Sequence, residues 1–243
     1  PQIVAAVLGV ETKYGSITSR YRALDALATL AFTHPTRGDF FRSELTQFFV
    51  LCRQDRFDAT ALSGSYAGAL GNAQFMPGTY LRFGVDFDGD GRVDLWSMPD
   101  AIGSIANYLA HFRPALGWQR GQPWLEEVRL TRDLSWQEAD LAIQHPRSKW
   151  AAWGVSRADG KPLPADGLEA SLLLPMGRFG PAFLAYPNFQ AYLKWNQSLN
   201  YSLTAAYLAT RLAGAPAMHR GRGHIPELSY EQTKDLQQIL IRK

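Results

Sequence analysis

Apolar residues fall at helical spacing from the start of the chain. Ile3, Val4, Val7 and Leu8 share one face, and Gly15 stands where a C-terminal cap belongs, which predicts a helix over 2–14. Two more helical stretches follow, 22–33 and 38–56. The second takes Phe40, Phe41, Leu45, Phe48, Phe49 and Cys52 as its apolar side. The periodicity then stops. Residues 57–84 are rich in small residues, and Gly64, Gly68, Gly71, Gly78 and Gly84 permit close backbone approach or positive φ. An acidic loop occupies 86–97. Beyond it a helix is expected over 99–113, opened by Pro99, with Ile102, Ile105, Ala106 and Leu109 inward.

The texture changes near Trp118. Val128-Arg129-Leu130 alternates as a strand does. Residues 135–143 read as a short helix, with Ser135 and Glu138 set for a capping box. Strand-like pieces over 155–174 are broken by Gly160, Pro162, Pro164 and Gly167. Helical spacing returns at 187–213. Residues 214–226, with Gly214, Pro216, Gly221, Gly223 and Pro226, read as a linker, and a last helix is expected over 229–242 with Ser229 at N-cap and Gln232 at N3. The expected fold class is α+β, mainly α. Helical segments 1–118 and 186–213 enclose a small α+β insertion at 119–185, and 227–243 follows the linker.

Composition narrows the function classes. With 46% apolar and 19% charged residues over 243 positions, the chain has material for a core and is not disordered. It holds no apolar run long enough for a transmembrane helix. No basic-then-apolar leader opens it, which leaves a processed or trimmed start open. The single cysteine, Cys52, excludes an internal disulfide and a cysteine-based zinc site. A net charge of +3 is too mild to argue for nucleic acid, and the patch at 219–224 reads as a solvated linker. Neither a nucleophile elbow nor a phosphate loop nor a two-histidine zinc motif is present.

Three local features bear on chemistry. Asp86, Asp88, Asp90 and Asp94 stand at positions 1, 3, 5 and 9 of an EF-hand-type loop, with Gly91 at the sharp turn and the Arg92 carbonyl at position 7. Position 12 is Ser97, which cannot chelate as Glu does, so a longer loop closed by Asp100 is needed to hold a hard cation such as calcium. An Asx-rich turn without metal is the other reading. Glu11 shares the apolar face of Val7 and Leu8, and a carboxyl held against apolar surface keeps its proton to higher pH, as a general acid must. A solvated Glu11 paired with Lys13 is the plain alternative. Ser65 to Pro77 runs from small residues to Gln74 and Phe75, a pattern that fits a substrate-lining wall or a tight helix-packing corner equally.

Together and in this order, Gly9-Val10-Glu11-Thr12-Lys13-Tyr14-Gly15, then Ser65 to Pro77, Asp86 to Trp96, Ala101 to Tyr108, and Trp195-Asn196-Gln197-Ser198 with Tyr201, resemble the lytic transglycosylase B family of bacterial cell-wall enzymes. The resemblance covers about residues 1–213. It implies a lysozyme-like helical core with a small inserted β-containing domain. It also implies cleavage of the β-1,4 bond between N-acetylmuramic acid and N-acetylglucosamine, with a 1,6-anhydro product. Glu11 matches the catalytic acid. Gln74, Ser65 and Asn196 match polar cleft residues, with Ser65 orienting the acid. Phe40, Tyr108, Trp195 and Tyr201 match aromatic positions that line the sugar path, where the family often has Tyr in place of Phe40 and Trp195. By the same resemblance the partners are peptidoglycan glycan strands and other cell-wall enzymes, the location is the bacterial periplasm, and no organic cofactor is expected. Residues 228–238 resemble the first helix of a peptidoglycan-binding module. A muramidase that uses water, with a second carboxylate near Glu11, and a non-catalytic glycan- or calcium-binding scaffold are the competing readings.

Overall fold

The computed structural model describes residues 1–17, 19–111, 118–225 and 227–242. In chain order its elements are α1 (Gln2–Thr12), β1 (Tyr21–Arg22), α2 (Ala23–Thr33), α3 (Gly38–Gln54), β2 (Ser63–Gly64), α4 (Pro77–Phe83), α5 (Met98–His111) and β3 (Leu125–Leu130). There follow β4 (His145–Pro146), α6 (Arg147–Ala152), β5 (Val155–Arg157), β6 (Glu169–Leu173), β7 (Ala182–Ala185), α7 (Phe189–Trp195), α8 (Leu199–Leu212) and α9 (Tyr230–Ile241). The class is α+β, mainly α. The chain divides into two units, one of Pro1–Gln122 with Asn188–Ala215, the other of Pro123–Pro187 with Pro216–Lys243.

The first unit is helical apart from the β1–β2 pair, in which Tyr21 faces Gly64 and Arg22 faces Ser63. α1 buries Ala6, Val7, Leu8 and Thr12 and packs on α8 and α5. α8 meets it with a buried face that includes Ser202, Ala205, Ala206 and Ala209, and side chains this small let two helix axes approach closely. The buried stripe of α3 is Phe41, Phe48, Leu51 and Cys52. Phe40 and Phe49, expected on that side, are 38% and 51% exposed, because each lies one 100° step off the stripe, on opposite flanks. The same offset corrects α5. Ala101, Ile105 and Leu109 are buried, whereas Ile102 and Ala106 point outward. Residues 112–113 of the expected helix lie outside the described residues.

α1 stops at Thr12, short of the expected end. The left-handed cap falls on Lys13, whose N–H donates to the Gly9 carbonyl at 3.0 Å, and Lys13, Tyr14 and Gly15 all have positive φ, at 47°, 59° and 79°. That run folds Tyr14 back over Gly9, where any Cβ would sit 2.9 Å from the Tyr14 ring. The expected helical stretch 187–213 is two helices. Asn196 ends α7, and the Ser198 side chain caps α8 by accepting the Tyr201 amide.

The second unit is built on an antiparallel sheet of order β4-β6-β7-β3-β5. Its core gathers Val128, Val155, Leu172 and Leu184 around Trp150, whose indole N–H donates to the Ala170 carbonyl at 2.8 Å. The helix expected over 135–143 is only a 3₁₀ turn, Trp136–Glu138. Ser135 makes no side-chain cap bond, and the Glu138 carboxylate pairs with His145 Nε2 at 2.8 Å. The basic patch at 219–224 is exposed but tied down, not simply solvated. The His219 amide donates to Glu127 at 2.7 Å and the Arg222 guanidinium to Asp133 at 2.7 Å. Pro226 of the expected linker lies outside the described residues. α9 carries the capping box expected of Ser229 and Gln232 and is exposed along its length.

Candidate active site

Glu11 occupies the last turn of α1, on the side of the buried Val7 and Leu8. Its Oε1 accepts the indole N–H of Trp195 at 2.8 Å and the phenol O–H of Tyr201 at 2.5 Å. Burial pushes its pKa above the ordinary carboxyl value, and the two hydrogen bonds reverse that only in part. A carboxyl in this setting holds its proton to higher pH than an exposed one, the property a general acid needs. Burial and the neighbouring Glu11 carboxylate push the Tyr201 hydroxyl far upward, so it stays protonated and able to donate.

Three of the four aromatic residues expected to line the sugar path cluster at this acid. Trp195 ends α7, and its ring lies 4.9 Å from that of Tyr108, edge to face at 78°, and 5.3 Å from Phe75. Tyr108 also packs edge-on against Phe83 at 4.9 Å and donates its hydroxyl to the Lys194 carbonyl at 3.1 Å. Trp195 and Tyr201, expected to line the sugar path, thus hold the carboxyl. Phe40 is not brought into this cluster. Its ring packs on Phe41 at 5.1 Å and under the Arg37 guanidinium at 4.4 Å.

The polar residues divide between turn-building and open valences. Ser65 Oγ accepts the amides of Ala67 and Ala69, at 3.2 and 3.0 Å, and shapes the turn before Gly68. Among the described residues the donors to Glu11 are Trp195 and Tyr201, so the orienting expected of Ser65 is theirs. Asn196 builds the α7–α8 turn, its side-chain oxygen accepting the Ser198 amide at 2.9 Å and its carbonyl the Ser202 hydroxyl at 3.0 Å. Gln74 sits at φ 50°, a left-handed conformation that costs an ordinary residue about 1 kcal/mol and is common where function demands it. Its Nε2 donates to the Gly71 carbonyl at 2.8 Å and to Ser19 Oγ at 3.3 Å, which leaves its Oε1 without a donor among the described residues.

In the acidic loop, Asp86, Asp88 and Asp100 each offer a carboxylate oxygen within 4.8 Å of the others. Asp100 is 1% exposed and closes the loop from α5, its Oδ1 accepting the Phe87 amide and its Oδ2 the Asp94 amide, both at 2.8 Å. Gly91 takes φ 88° at the sharp turn. The carboxylates of Asp90 and Asp94 accept the amides of Arg92 and Trp96, at 2.9 and 2.8 Å, and do not join the three. The Arg92 guanidinium lies 5.6 Å from the Phe57 ring centre. Convergent hard oxygens with a buried member fit calcium.

Sequence patterning missed Thr12 and Asn72. Thr12 Oγ1 donates to the Asn72 carbonyl at 3.2 Å and accepts the Gly15 amide at 3.0 Å. Asn72 Nδ2 in turn donates to the Trp96 carbonyl at 2.8 Å, and its amide to the Leu95 carbonyl at 2.7 Å. The residue after the acid is thereby bonded to the 65–77 segment and, through it, to the end of the acidic loop. The local signal was Asn72 itself, a polar side chain between Gly71 and Ala73 in a run of small residues.

Comparison with known proteins gives a consistent picture. Residues 1–210 match the family described as Transglycosylase SLT domain. The membrane-bound lytic murein transglycosylase B of Escherichia coli (strain K12) is 36% identical over 214 residues, 88% of this chain and 57% of that protein. SltB3 from Pseudomonas aeruginosa, solved in complex with NAG-NAM-pentapeptide, is 39% identical with a TM-score of 0.87, covering 99% of this chain and 64% of that one. A second SltB3 structure holds NAG-anhNAM-pentapeptide. Escherichia coli Slt35, solved in complex with calcium, is 35% identical with a TM-score of 0.74, covering 88% of this chain and 66% of that one. The chain thus spans less than two thirds of the length of the first two of these relatives.

Proposed function

Since the chain belongs to the Transglycosylase SLT domain family, we propose that it is a peptidoglycan lytic transglycosylase that cleaves the β-1,4 bond between N-acetylmuramic acid and N-acetylglucosamine. One observation carries the choice among chemistries. The Glu11 carboxyl sits against two donors, and among the described residues no second carboxylate bears on its ionisation. Hydrolytic glycosidases ordinarily work with a pair of carboxylates. A lone acid suits an internal attack that consumes no water. Glu11 gives its proton to the leaving glycosidic oxygen as the C1–O4 bond breaks. The C6 hydroxyl of the same muramoyl residue forms the O6–C1 bond and returns its proton to the Glu11 carboxylate. The proton count closes, and proximity of the hydroxyl replaces an activated nucleophile. The anhydro sugar bound to SltB3 supports this product.

In this reading the free amide oxygen of Gln74 accepts from an acetamido N–H of the substrate. Ser65, Phe40, Tyr108 and Asn196 border the glycan, and Trp195 and Tyr201 serve the acid. Calcium is held by Asp86, Asp88 and Asp100, with the Arg92 carbonyl and, once they turn from the Arg92 and Trp96 amides, Asp90 and Asp94 completing the shell. Its work is structural, supported by the three convergent carboxylates and by the calcium complex of Slt35. No helix among the described residues is long and apolar enough to cross a membrane. A periplasmic site of action fits a peptidoglycan substrate, and α9 resembles a helix of a peptidoglycan-binding module.

The test is digestion of purified sacculi followed by mass spectrometry of the new ends. Anhydro ends, lighter than reducing ends by one water, are expected and vanish with Glu11→Gln. Reducing ends would show a water-using muramidase. Binding without turnover would leave a scaffold.

A further inference from the structure

Both hydrogen bonds to Glu11 land on one atom. Oε1 accepts from Trp195 and from Tyr201, and among the described residues no donor reaches Oε2. The two donors are not equivalent. A phenol hydroxyl can rotate and accept, whereas an indole N–H only donates. With that N–H aimed at it from 2.8 Å, Oε1 could take a proton only if the Tyr201 hydroxyl turned round to accept it, whereas Oε2 faces no such competition. Trp195 cannot swing away cheaply, because its ring is wedged against Phe75 and Tyr108. We propose that Trp195, backed by Tyr201, is a positioning residue that pins Oε1 and so confines the transferable proton of Glu11 to Oε2. This rests on the acid–base reading of Glu11 given above.

The consequence for the reaction is economy of motion. The proton leaves from Oε2 in the first half and returns to Oε2 in the second, while Oε1 remains an acceptor throughout. The carboxyl need not turn between its two roles. Both donors bond more strongly to the carboxylate than to the neutral acid, so they favour the step in which the proton is given up. The neighbouring helices add no competing charge. Of the ionisable groups on α8 (Tyr201, Tyr207, Arg211), α5 (Asp100, Tyr108, His111), α7 (Tyr192, Lys194) and the Lys13 beside it, Tyr201 alone bears on Glu11.

The test reads the carboxyl directly, in the folded full chain, by carbon NMR of ¹³C-labelled glutamate, with the Glu11 resonance identified by its loss in Glu11→Gln. Trp195→Phe keeps a ring for Phe75 and Tyr108 and loses the donor. Removing a donor from an ionised group raises its pKa, here by about one pH unit. The alkaline limb of kcat/KM moves up with it, and Trp195→Tyr, which restores a hydroxyl donor, moves it back. A residue that merely packs would lower Tm and leave the titration where it was, and that result overturns the proposal while leaving the acid role of Glu11 intact. Glu11→Gln with normal turnover overturns the reading beneath it. The wild-type protein provides a check that no folding defect can spoil. The Trp195 indole proton titrates with the midpoint of the Glu11 carboxyl, and an indole proton that ignores that ionisation overturns the proposal.

Discussion

Glu11 is held in a state the folded protein disfavours when charged, and that has two measurable sides. Glu11→Gln keeps the shape and cannot give a proton, so turnover falls by at least about 10²–10⁴-fold. The same variant is expected to melt higher than wild type at alkaline pH. A carboxyl whose folded pKa is raised binds its proton more tightly in the folded state, so wild-type stability declines as pH rises from the unfolded pKa through the folded one. The Gln variant escapes that decline, and melting curves at several pH values show the gap opening as pH rises and closing in acid. Tyr192 makes an opposite case. Its hydroxyl is buried with no hydrogen-bond partner among the described residues, and burying an unpaired polar group costs about 1–3 kcal/mol. Tyr192→Phe is expected to leave Tm unchanged or raise it, checked by thermal unfolding. At this scale the sequence was only partly legible. Burial of Glu11 could be read from Val7 and Leu8 a turn away. The duty of Trp195 and Tyr201 could not, since they meet the acid across separations of 184 and 190 residues that no local pattern encodes.

Among the elements, the acidic loop was the most legible, because its ligand spacing is local and its missing last carboxylate pointed onward to Asp100. The structure brings Asp100 to Asp86 and Asp88 and leaves Ser97 at the foot of α5, where its carbonyl accepts the Ala101 amide at 3.1 Å. Calcium should therefore raise the melting temperature of metal-stripped protein, Asp100→Ala should abolish that response, and Ser97→Ala should leave it unchanged. A hundredfold excess of calcium over its dissociation constant adds about 2.7 kcal/mol. Scanning calorimetry with calcium and with chelator checks all three. Helix faces were legible to within one residue. Counting apolar residues caught the stripes of α3 and α5 but swept in Phe40, Phe49 and Ile102 at their edges, since periodicity alone does not say how wide a partner helix is. The short helix expected after Ser135 failed for a different reason. Glu138 found His145, a partner outside the window that a capping rule inspects.

For the molecule as a whole, the change of texture near Trp118 and the return of helical spacing near 187 predict an insertion at 119–185, and the second unit takes in Pro123–Pro187, which interrupts the first. What composition did not show is that the segment from Pro216 belongs with the second unit, through Glu127 and Asp133, residues far back along the chain. That interruption also orders events in time. During synthesis Glu11 precedes α7 and α8, which bring its two donors and emerge only after all of 123–187. Pairing over such separations is slow, and the intervening unit has its own core to condense first. Until α8 emerges, then, Glu11 lies on an unfinished helix face, open to water and ionised as an exposed carboxyl is. A chain released after residue 187 would carry the acid, the Gln74 segment and the acidic loop, yet its Glu11 would titrate normally and sacculi would stay uncut. On the proposed function, competence to cleave is withheld until α8 is made.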